Sequence, residues 1–368
     1  MQRSYHGVLA VSAIWSILYT IVLLLMMNAP LCSGYFGLSS TNRISLDRMG
    51  RDCKNLFLTK KQQKLCNRDD GMVLVLLDAF RLSLTECRQQ FKHERWNCSM
   101  TNDAQRLNIV KEGMKETAFL SAISSAGLVH AIAQGCSRGT LDRCSCDDVS
   151  FSAEANREAW KWGGCGDNLK YSQRFLKDFL KNRSSGSRDL RSKMERHNSD
   201  LGIRTVRRRV DKVCKCHGIS GACTTQTCWK QLGPFHSIGV DLKEKYERSV
   251  QVILANRADG ENELVRRRQP RPEEKIYPDS PTSPASPGPG DLVFERESPD
   301  FCTPSKYSEG TGGRTCDKLR TCNSLCCGRG YNIRSVMVTR ACQCRFHWCC
   351  DVICQRCTTR EEIHLCRA

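Results

Sequence analysis

Long apolar segments are scarce in this sequence of 368 residues. Only the run from Val8 to Met27 is long enough to cross a bilayer, which excludes a membrane transporter. Acidic residues are also scarce: 39 Asp and Glu stand against 57 Lys and Arg, and the net charge of +18 predicts a partner with an acidic surface. Apolar residues are not lacking, because they make up 40% of the chain, so a largely disordered protein is excluded as well.

Cysteine, by contrast, is abundant, and 25 cysteines argue against an ordinary enzyme of the reducing cytosol. The apolar run is followed by small residues at Cys32-Ser33-Gly34, which predicts a signal peptide over residues 1–34 and a secreted chain. An uncleaved signal anchor is the alternative, and it leads to the same oxidising compartment. Removing Cys32 leaves 24 cysteines, an even number that can pair completely.

Cysteine and proline are distributed unevenly. Twelve of the remaining cysteines lie between Cys53 and Cys228, and twelve lie between Cys302 and Cys366. Seven of the eleven prolines fall from Pro270 to Pro289, in a segment with too few apolar groups to pack. The mature chain is therefore predicted to have an N-terminal domain, an extended linker and a cysteine-rich C-terminal domain, over residues 35–258, 259–297 and 298–368.

The residue pattern predicts an α+β fold that is rich in disulfides. Long stretches of Leu, Ala and Met without internal proline begin at Asp70 and Glu116, and a third stretch, 168–182, alternates apolar and basic residues at helical spacing. The N-terminal domain is therefore expected to be helical. The C-terminal domain has no comparable run, and its closely spaced cysteines, such as Cys342 and Cys344, predict short strands stapled into hairpins.

The most informative segment is CKCHGISGACTTQTCW, residues 214–229. If Cys216 pairs with Cys223, the loop between them is closed and Ser220 lies near its tip. Glycines on either side of this serine permit the positive φ angles of a tight loop. An exposed serine on a rigid loop is a suitable acceptor for covalent modification, and a plain disulfide-closed turn without chemistry is the alternative.

A hydrolase is a further interpretation of the same segment, with Ser220 as nucleophile and His217 as base. The nucleophile elbow requires the pattern G-x-S-x-G, whereas the second glycine here, Gly221, comes one residue early. The segment also lacks a strand–turn–helix context. We therefore expect no enzymatic activity.

Zinc binding is an alternative for the C-terminal cysteines. Cys354 and Cys357 form a C-x-x-C pair close to the adjacent Cys349 and Cys350, as in many zinc sites. No H-x(3–5)-H partner accompanies them, and an oxidising compartment favours disulfides. We therefore expect no metal site.

Two N-x-S sequons occur, at Asn97 and Asn182. Both lie among polar residues of a secreted chain. N-glycosylation is therefore predicted at both asparagines.

Positive charge is concentrated in residues 181–215, where twelve Lys and Arg face four Asp and Glu. In an intracellular protein this charge would indicate nucleic acid. Outside the cell the abundant polyanion is sulfated glycosaminoglycan, so heparan sulfate is the predicted ligand of Arg207, Arg208 and Arg209, and no nucleic-acid partner is expected. A solvated basic face without a dedicated ligand is the alternative.

Five stretches share their cysteine spacing and motifs with one known family: the segment 214–229, RWNCS at 95–99, ETAFLSAISSAGLVHAI at 116–132, WKWGGCGDN at 160–168 and CQCRFHWCCDVICQRC at 342–357. They resemble the Wnt family of secreted signalling glycoproteins over essentially the whole mature chain. The stretch 298–316, with the proline-rich insert before it, is most similar to the ninth Wnt subfamily. Ala222 replaces a serine of the family signature, which leaves Ser220 as the only serine between Cys216 and Cys223.

This resemblance implies a helical N-terminal domain with a β-hairpin thumb, residues 214–228, and a C-terminal finger of disulfide-linked strands. The two together would grip the cysteine-rich domain of a Frizzled receptor. Contacts are expected at both tips, by Ser220, His217, Phe346, Trp348, Cys349 and Cys350. Packing of Phe346 inside the hairpin is the alternative.

The resemblance also implies a lipid. In Wnt proteins the serine that matches Ser220 carries a covalent palmitoleoyl group, attached by the acyltransferase Porcupine, and the carrier Wntless then brings the protein to the surface. No other cofactor is implied. A low-density-lipoprotein-receptor-related co-receptor is a further implied partner, and the lipid would hold the secreted protein at membranes and in the extracellular matrix.

Twelve disulfides are implied by matching cysteines to the family in order. The N-terminal pairs are Cys53–Cys66, Cys87–Cys98, Cys136–Cys144, Cys146–Cys165, Cys214–Cys228 and Cys216–Cys223. The C-terminal pairs are Cys302–Cys327, Cys316–Cys322, Cys326–Cys366, Cys342–Cys357, Cys344–Cys354 and the neighbouring Cys349–Cys350.

Overall fold

A computed structural model of the chain describes residues 53–56, 58–98, 108–110, 112–147, 165–180, 190–224, 226–256, 262–267, 285–348 and 351–368. All of them belong to one unit of internal contacts. The predicted signal peptide, the sequon at Asn182, and Cys349 with Cys350 lie outside these residues.

The described helices follow a short 3₁₀ turn at Cys53–Leu56. They are α1 (Lys60–Cys66), α2 (Met72–Gln90), α3 (Lys115–Ser137), α4 (Leu169–Leu180), α5 (Leu190–Arg208), α6 (Phe235–Glu247) and α7 (Cys322–Leu325). The described strands are β1 (Val210–Cys216), β2 (Gln226–Leu232), β3 (Val250–Asn256), β4 (Asn262–Arg266), β5 (Val293–Phe294), β6 (Thr315–Cys316), β7 (Tyr331–His347) and β8 (Asp351–Cys366). The α+β class is confirmed, and α2, α3 and α4 confirm the three predicted helices.

The strands form three small sheets. Strands β1 and β2 make an antiparallel hairpin. In the second sheet β3 pairs antiparallel with β4 and parallel with β5. In the third sheet β8 lies between β6 and β7, and both of its pairings are antiparallel.

Helix α3 is the centre of the N-terminal core. Its sequence, KETAFLSAISSAGLVHAIAQGCS, is apolar or small on nearly every face, a pattern typical of a helix that is surrounded by protein. Contrary to the expectation that only residues 8–27 could cross a bilayer, this helix is also long and apolar enough to do so, but 94% of its most apolar window is buried in the protein. Helices α2, α4, α5 and α6 pack around it, so α3 positions all of them.

Small residues let α5 approach α3 closely. A Cβ added at Gly202 of α5 would lie only 2.1 Å from the carbonyl oxygen of Ala122 in α3. One turn earlier, the buried Asn198 side chain donates to the Val293 carbonyl and accepts from the Val293 N–H, both at 2.9 Å. Helix α5 therefore joins the α3 core to strand β5.

An aromatic cluster closes the end of the core. The Phe91 ring packs edge-to-face against Trp96, Phe119 and Tyr246, with centroids 4.8–4.9 Å apart. Trp96 is the tryptophan of the RWNCS motif and is buried. Contacts of this geometry add roughly 0.5–1.5 kcal/mol beyond the buried area.

A buried carboxylate beside this cluster links α3 to α6 and to the chain that follows the proline-rich segment. Glu116 of α3 accepts hydrogen bonds from the Tyr246 hydroxyl at 2.7 Å and the Ser298 hydroxyl at 2.6 Å. Burial raises the pKa of Glu116, and the two hydroxyl donors partly oppose that rise. The chain after the proline-rich segment is thus tied to the helical core.

A second set of bonds joins the C-terminal domain to the loop after α2. The Arg314 guanidinium donates to the carbonyls of Arg95 and Lys92, at 2.7 and 3.1 Å. In return Arg95 donates to the Ser324 carbonyl at 3.0 Å. The base of the C-terminal domain therefore rests directly on the helical domain.

The segment predicted as a linker, 259–297, is only partly one. Residues 262–266 form β4 against β3, and residues 292–294 are buried, with Val293 and Phe294 forming β5. The prediction rested on the average composition of the proline-rich segment. That average conceals two short apolar groups beside it, Leu264-Val265 and Leu292-Val293-Phe294, which have enough apolar surface to pack.

The C-terminal strands are longer than predicted. Strands β7 and β8, of 17 and 16 residues, form one hairpin in place of several short ones. Its register shifts between Cys342 and Arg345, where Gln343 has a φ of 46°. The strand therefore continues through the closely spaced cysteines Cys342 and Cys344, with a local irregularity in its pairing.

Gly202 provides a test of the α3–α5 contact. Gly202→Ala is expected to destabilise the protein by about 1–3 kcal/mol, because the new methyl group would overlap backbone that cannot move aside. Alanine ordinarily stabilises a helix interior by about 1 kcal/mol relative to glycine, so the sign of the effect is diagnostic. Thermal unfolding of the secreted protein measures it. Gly290→Ala is the control, since nothing lies within 4 Å of a Cβ there; equal midpoints for both variants would contradict the close contact.

Candidate functional site

The thumb, residues 214–228, is the outer part of the β1–β2 hairpin. Its strands pair in register from Val210 opposite Leu232 to Cys216 opposite Gln226. One disulfide joins the facing pair Cys214 and Cys228, and a second joins Cys216 to Cys223 across the loop. Because a two-stranded hairpin alone is marginally stable in water, these bonds hold the thumb in shape.

The base of the hairpin is anchored to the core. The buried Asp167 carboxylate accepts from the Leu232 N–H at 2.7 Å and from the Ser137 hydroxyl at 2.6 Å. His130 of α3 lies with Nε2 3.2 Å from the Gly233 carbonyl. Burial lowers the pKa of His130, so the ring is neutral, and Nε2 carries the proton because a carbonyl can only accept.

The tip of the thumb presents one serine to solvent. Residues 219–221 form a single 3₁₀ turn in which Ser220 has a φ of 57°, the left-handed conformation. Gly218 is needed beside it, because a Cβ there would lie 2.3 Å from the Ala222 carbonyl oxygen. Ser220 is exposed, and the Ile219 side chain is 93% exposed. The tip is therefore a fixed turn whose serine faces outward.

The hydrolase interpretation finds no support in this geometry. Within the described residues the Ser220 hydroxyl makes no hydrogen bond, so no base activates it. His217, the proposed base, has Nε2 3.1 Å from the Thr227 hydroxyl and braces the opposite strand. The thumb tip therefore leaves the Ser220 hydroxyl accessible from solvent.

The three arginines at the end of α5, Arg207 to Arg209, differ in whether they are ion-paired. Arg207 and Arg208 are exposed and form no ion pair among the described residues, whereas Arg209 is bidentate to Asp241, with Nε donating at 2.8 Å. Asp241 lies on α6, which is why the triplet alone gave no sign of this pairing. Arg209 is therefore not a free cation, which corrects the expectation that all three arginines are available to a polyanion.

Two lysines extend this basic surface along the hairpin: Lys212, which is among the twelve cations of residues 181–215, and Lys230, which the sequence analysis missed. Lys212 and Lys230 are exposed and lie directly opposite each other in the β1–β2 register. Like charges at such positions destabilise a sheet. The strand register reveals the pair, and the two positions are too far apart in sequence for a local pattern to show it.

The finger is the hairpin of β7 and β8, and its tip is apolar. Phe346 is 73% exposed and faces Val352, which is 63% exposed, while Trp348 in the connecting turn is 89% exposed. Phe346 therefore does not pack inside the hairpin. Sequence reasoning missed Val352 and Ile353, because their exposure depends on the hairpin having no covering layer. The implied contacts Cys349 and Cys350 lie outside the described residues.

Eleven disulfides are formed among the described residues, and each joins two cysteines that the family pattern pairs. The twelfth implied pair, Cys349–Cys350, is outside them. The zinc alternative loses two of its four ligands, because Cys354 is bonded to Cys344 and Cys357 to Cys342. Cys316, Cys322 and Cys326 have sulfurs within 4.8 Å of one another, but all three are in disulfides.

The sequons remain predictions. Asn97 is half-buried and precedes Cys98, which is buried in its disulfide with Cys87. Asn182 lies outside the described residues. Glycosylation at either site is therefore untested by the geometry.

A family model described as the wnt family matches residues 54–367. The chain belongs to the Wnt family. Protein Wnt-9a of Gallus gallus is 48% identical over 316 residues, covering 86% of this chain and 86% of the relative. Protein Wnt-9b of Homo sapiens is 47% identical over 318 residues, covering 86% of this chain and 85% of the relative. These matches confirm the predicted ninth Wnt subfamily.

A solved structure of human WLS in complex with WNT8A is similar to this Wnt, with a TM-score of 0.56 and 33% identity over 80% of this chain and 93% of that chain. The likeness confirms a helical N-terminal domain followed by cysteine-rich hairpins. Wnt family members are secreted signalling ligands and not enzymes, so this Wnt is a developmental signalling ligand.

Gly218 provides a test of how the thumb tip is held. Gly218→Ala is expected to strain the loop by about 1–3 kcal/mol, because the new methyl group would meet the Ala222 carbonyl, and less protein should carry the Cys216–Cys223 bond. Non-reducing peptide mapping of the secreted protein measures that fraction. Gly221→Asn is the matched control, since asparagine tolerates the left-handed conformation and open space surrounds that position. A normal disulfide map for Gly218→Ala would contradict the assignment.

Proposed function

We propose that this Wnt binds Frizzled receptors through a palmitoleoyl group on Ser220 of the thumb, with the finger tip making a second contact. The observation that carries the proposal is the exposed, unpaired Ser220 hydroxyl on a turn closed by Cys216–Cys223. A fixed turn delivers an attached chain in one direction, so little conformational freedom is lost on binding.

The lipid would supply a large share of the affinity. At about 0.8 kcal/mol per buried CH₂, a palmitoleoyl chain that enters an apolar receptor groove contributes on the order of 10 kcal/mol before other costs. Ordering and association offset several kcal/mol of this. The exposed Ile219 beside Ser220 extends the apolar surface of the tip. His217, through its contact with Thr227, would hold the turn against the strand behind it.

The finger contact is supported by exposed aromatic residues. Phe346 and Trp348 have no covering layer among the described residues, and aromatic side chains of this kind dominate the energy of many interfaces. Cys349 and Cys350 belong to the same proposed contact by sequence position. A Phe346→Ala, Trp348→Ala double variant that bound the receptor domain within about threefold of wild type would contradict it.

Other partners follow from the same proposal. Porcupine would attach the acyl chain, and Wntless would carry the acylated protein; the likeness to WNT8A in its complex with WLS supports that carrier. A low-density-lipoprotein-receptor-related co-receptor would complete the signalling assembly. The acyl chain would keep the secreted protein close to membranes.

Heparan sulfate is a proposed extracellular ligand at the junction of α5 and the hairpin. Arg207 and Arg208 are exposed there, and their guanidinium groups form no ion pair within the ranges that the structure describes. The facing lysines Lys212 and Lys230 repel each other, and a bound anion would relieve that repulsion. A solvated basic face is the competing explanation, because cations at a helix C-terminus are also favoured by the helix dipole.

Mass spectrometry of the reduced tryptic peptide 216–230 tests the lipid. We expect an increment of one palmitoleoyl group, with fragments that place it on Ser220, in protein secreted by cells that express the acyltransferase. Ser220→Ala should remove the increment, reduce secretion and abolish signalling while the disulfides still form. Thr224→Ala is the control and should keep the increment. An unmodified peptide from active protein would remove the lipid from the mechanism.

Heparin chromatography tests the polyanion surface. Arg207→Gln with Arg208→Gln is expected to lower the salt concentration of elution and to reduce the salt dependence of log Kd by about two ions, because two fewer cations displace counterions. Arg248→Gln with Arg296→Gln is the matched control, since both arginines are exposed but ion-paired, to Glu244 and Glu112. Equal losses for the two pairs would favour a general charge effect and contradict the site.

A further inference from the structure

An open cavity of 430 Å³ lies in the helical domain, between α1, the start of α2, α4 and the loop that follows α3. Its floor is apolar, formed by Leu65, Met72, Phe175 and the ring of Tyr171. The Phe175 ring stacks on Phe179 with centroids 5.4 Å apart, which fixes that wall. This size and lining fall within the range of small-molecule sites.

Two cations border the apolar floor. Arg68 and Arg143 are exposed, and their guanidinium groups make no ion pair or hydrogen bond within the part of the chain that the structure describes. Both groups act on Tyr171: burial and the Asp69 charge raise the pKa of its phenol, and the nearby Arg143 and Arg68 charges oppose that rise. The two charges therefore both line the cavity and both act on the Tyr171 hydroxyl.

One carboxylate also lines the cavity, and the backbone already satisfies it. Asp69 is buried, and its oxygens accept from the N–H groups of Gly71 at 3.1 Å and Arg143 at 3.0 Å. The two guanidinium groups are thus not its hydrogen-bond partners. The Tyr171 hydroxyl has no hydrogen-bond partner among the described residues either. The cavity combines a net positive, donor-rich edge with an apolar floor.

We propose that this cavity binds a carboxylate-headed amphiphile of the fatty-acid class. The carboxylate lies between Arg68 and Arg143 and accepts from the Tyr171 hydroxyl, while the aliphatic chain covers Leu65, Met72 and Phe175. A concave site of this volume favours a small molecule over a segment of a partner protein. The binding is separate from acylation of Ser220, which lies on the thumb.

Photolabelling tests the site. The protein is secreted into serum-free, detergent-free medium and exposed to a dodecanoate analogue with a diazirine in its chain. We expect label on peptides that contain residues 65–72 or 171–175, with competition by dodecanoate and none by dodecanol. Arg68→Gln with Arg143→Gln should lower labelling about tenfold, the effect of losing one charge-assisted hydrogen bond or more.

Arg81→Gln with Arg174→Gln is the matched control, because these exposed arginines lie on α2 and α4 outside the cavity lining. Labelling of this pair should equal wild type. If the first double variant is not secreted, Tyr171→Phe replaces it, and weaker labelling is expected there too. Absent label, label elsewhere, equal labelling of both variants, or competition by dodecanol as strong as by dodecanoate would each overturn the proposal.

Discussion

The burial of α3 on every side is the constraint on which the rest of the structure depends. A helix without a polar face must be surrounded, so α2, α4, α5 and α6 have to pack on it. Residues that face the hairpin, such as His130, then provide fixed bonding points at its base. Small residues such as Ala122, opposite Gly202, set how close the surrounding helices come. The position of the thumb is thus a consequence of hydrophobic burial in a helix that lies inside the domain.

Outside that core, the thumb and the finger are stabilised by disulfides more than by hydrophobic packing. The thumb and the finger are two-stranded, and their exposed residues leave little apolar surface to bury. Disulfides such as Cys214–Cys228 and Cys344–Cys354 cross-link each hairpin near its tip, where a hydrophobic core would otherwise be needed. An extended tip without a core leaves its outer residues free for recognition. The oxidising compartment predicted from the signal peptide is therefore a requirement of the architecture.

Sequence reasoning succeeded where the signal is local and failed where it depends on distant partners. The helices α2, α3 and α4 follow from apolar content, and the exposed position of Ser220 at the loop tip follows from its glycines and cysteines. Helix α5 was not predicted, and only its positive charge was noted. The apolar residues of its buried face, Met194, Leu201 and Val206, are separated by many arginines, so no apolar stretch marks the helix. The pairing of Arg209 with Asp241 and the apposition of Lys212 with Lys230 require the tertiary arrangement. The strands of the finger were predicted from cysteine spacing. Cysteine spacing indicates which strands are cross-linked but does not determine how long the strands are.

The bonds from Arg314 and Ser298 to the helical domain have a consequence for any partner that contacts both tips. They tie the finger to the same helical domain that holds the thumb, so such a partner would meet the two tips as one bidentate ligand. Once one tip is engaged, the other is presented at an effective concentration fixed by the frame, and two weak contacts can give strong avidity. A receptor with the wrong spacing between its two contact sites would gain nothing from the second tip. For a partner of that kind, the span of the frame would select receptors by the spacing of their two contact sites.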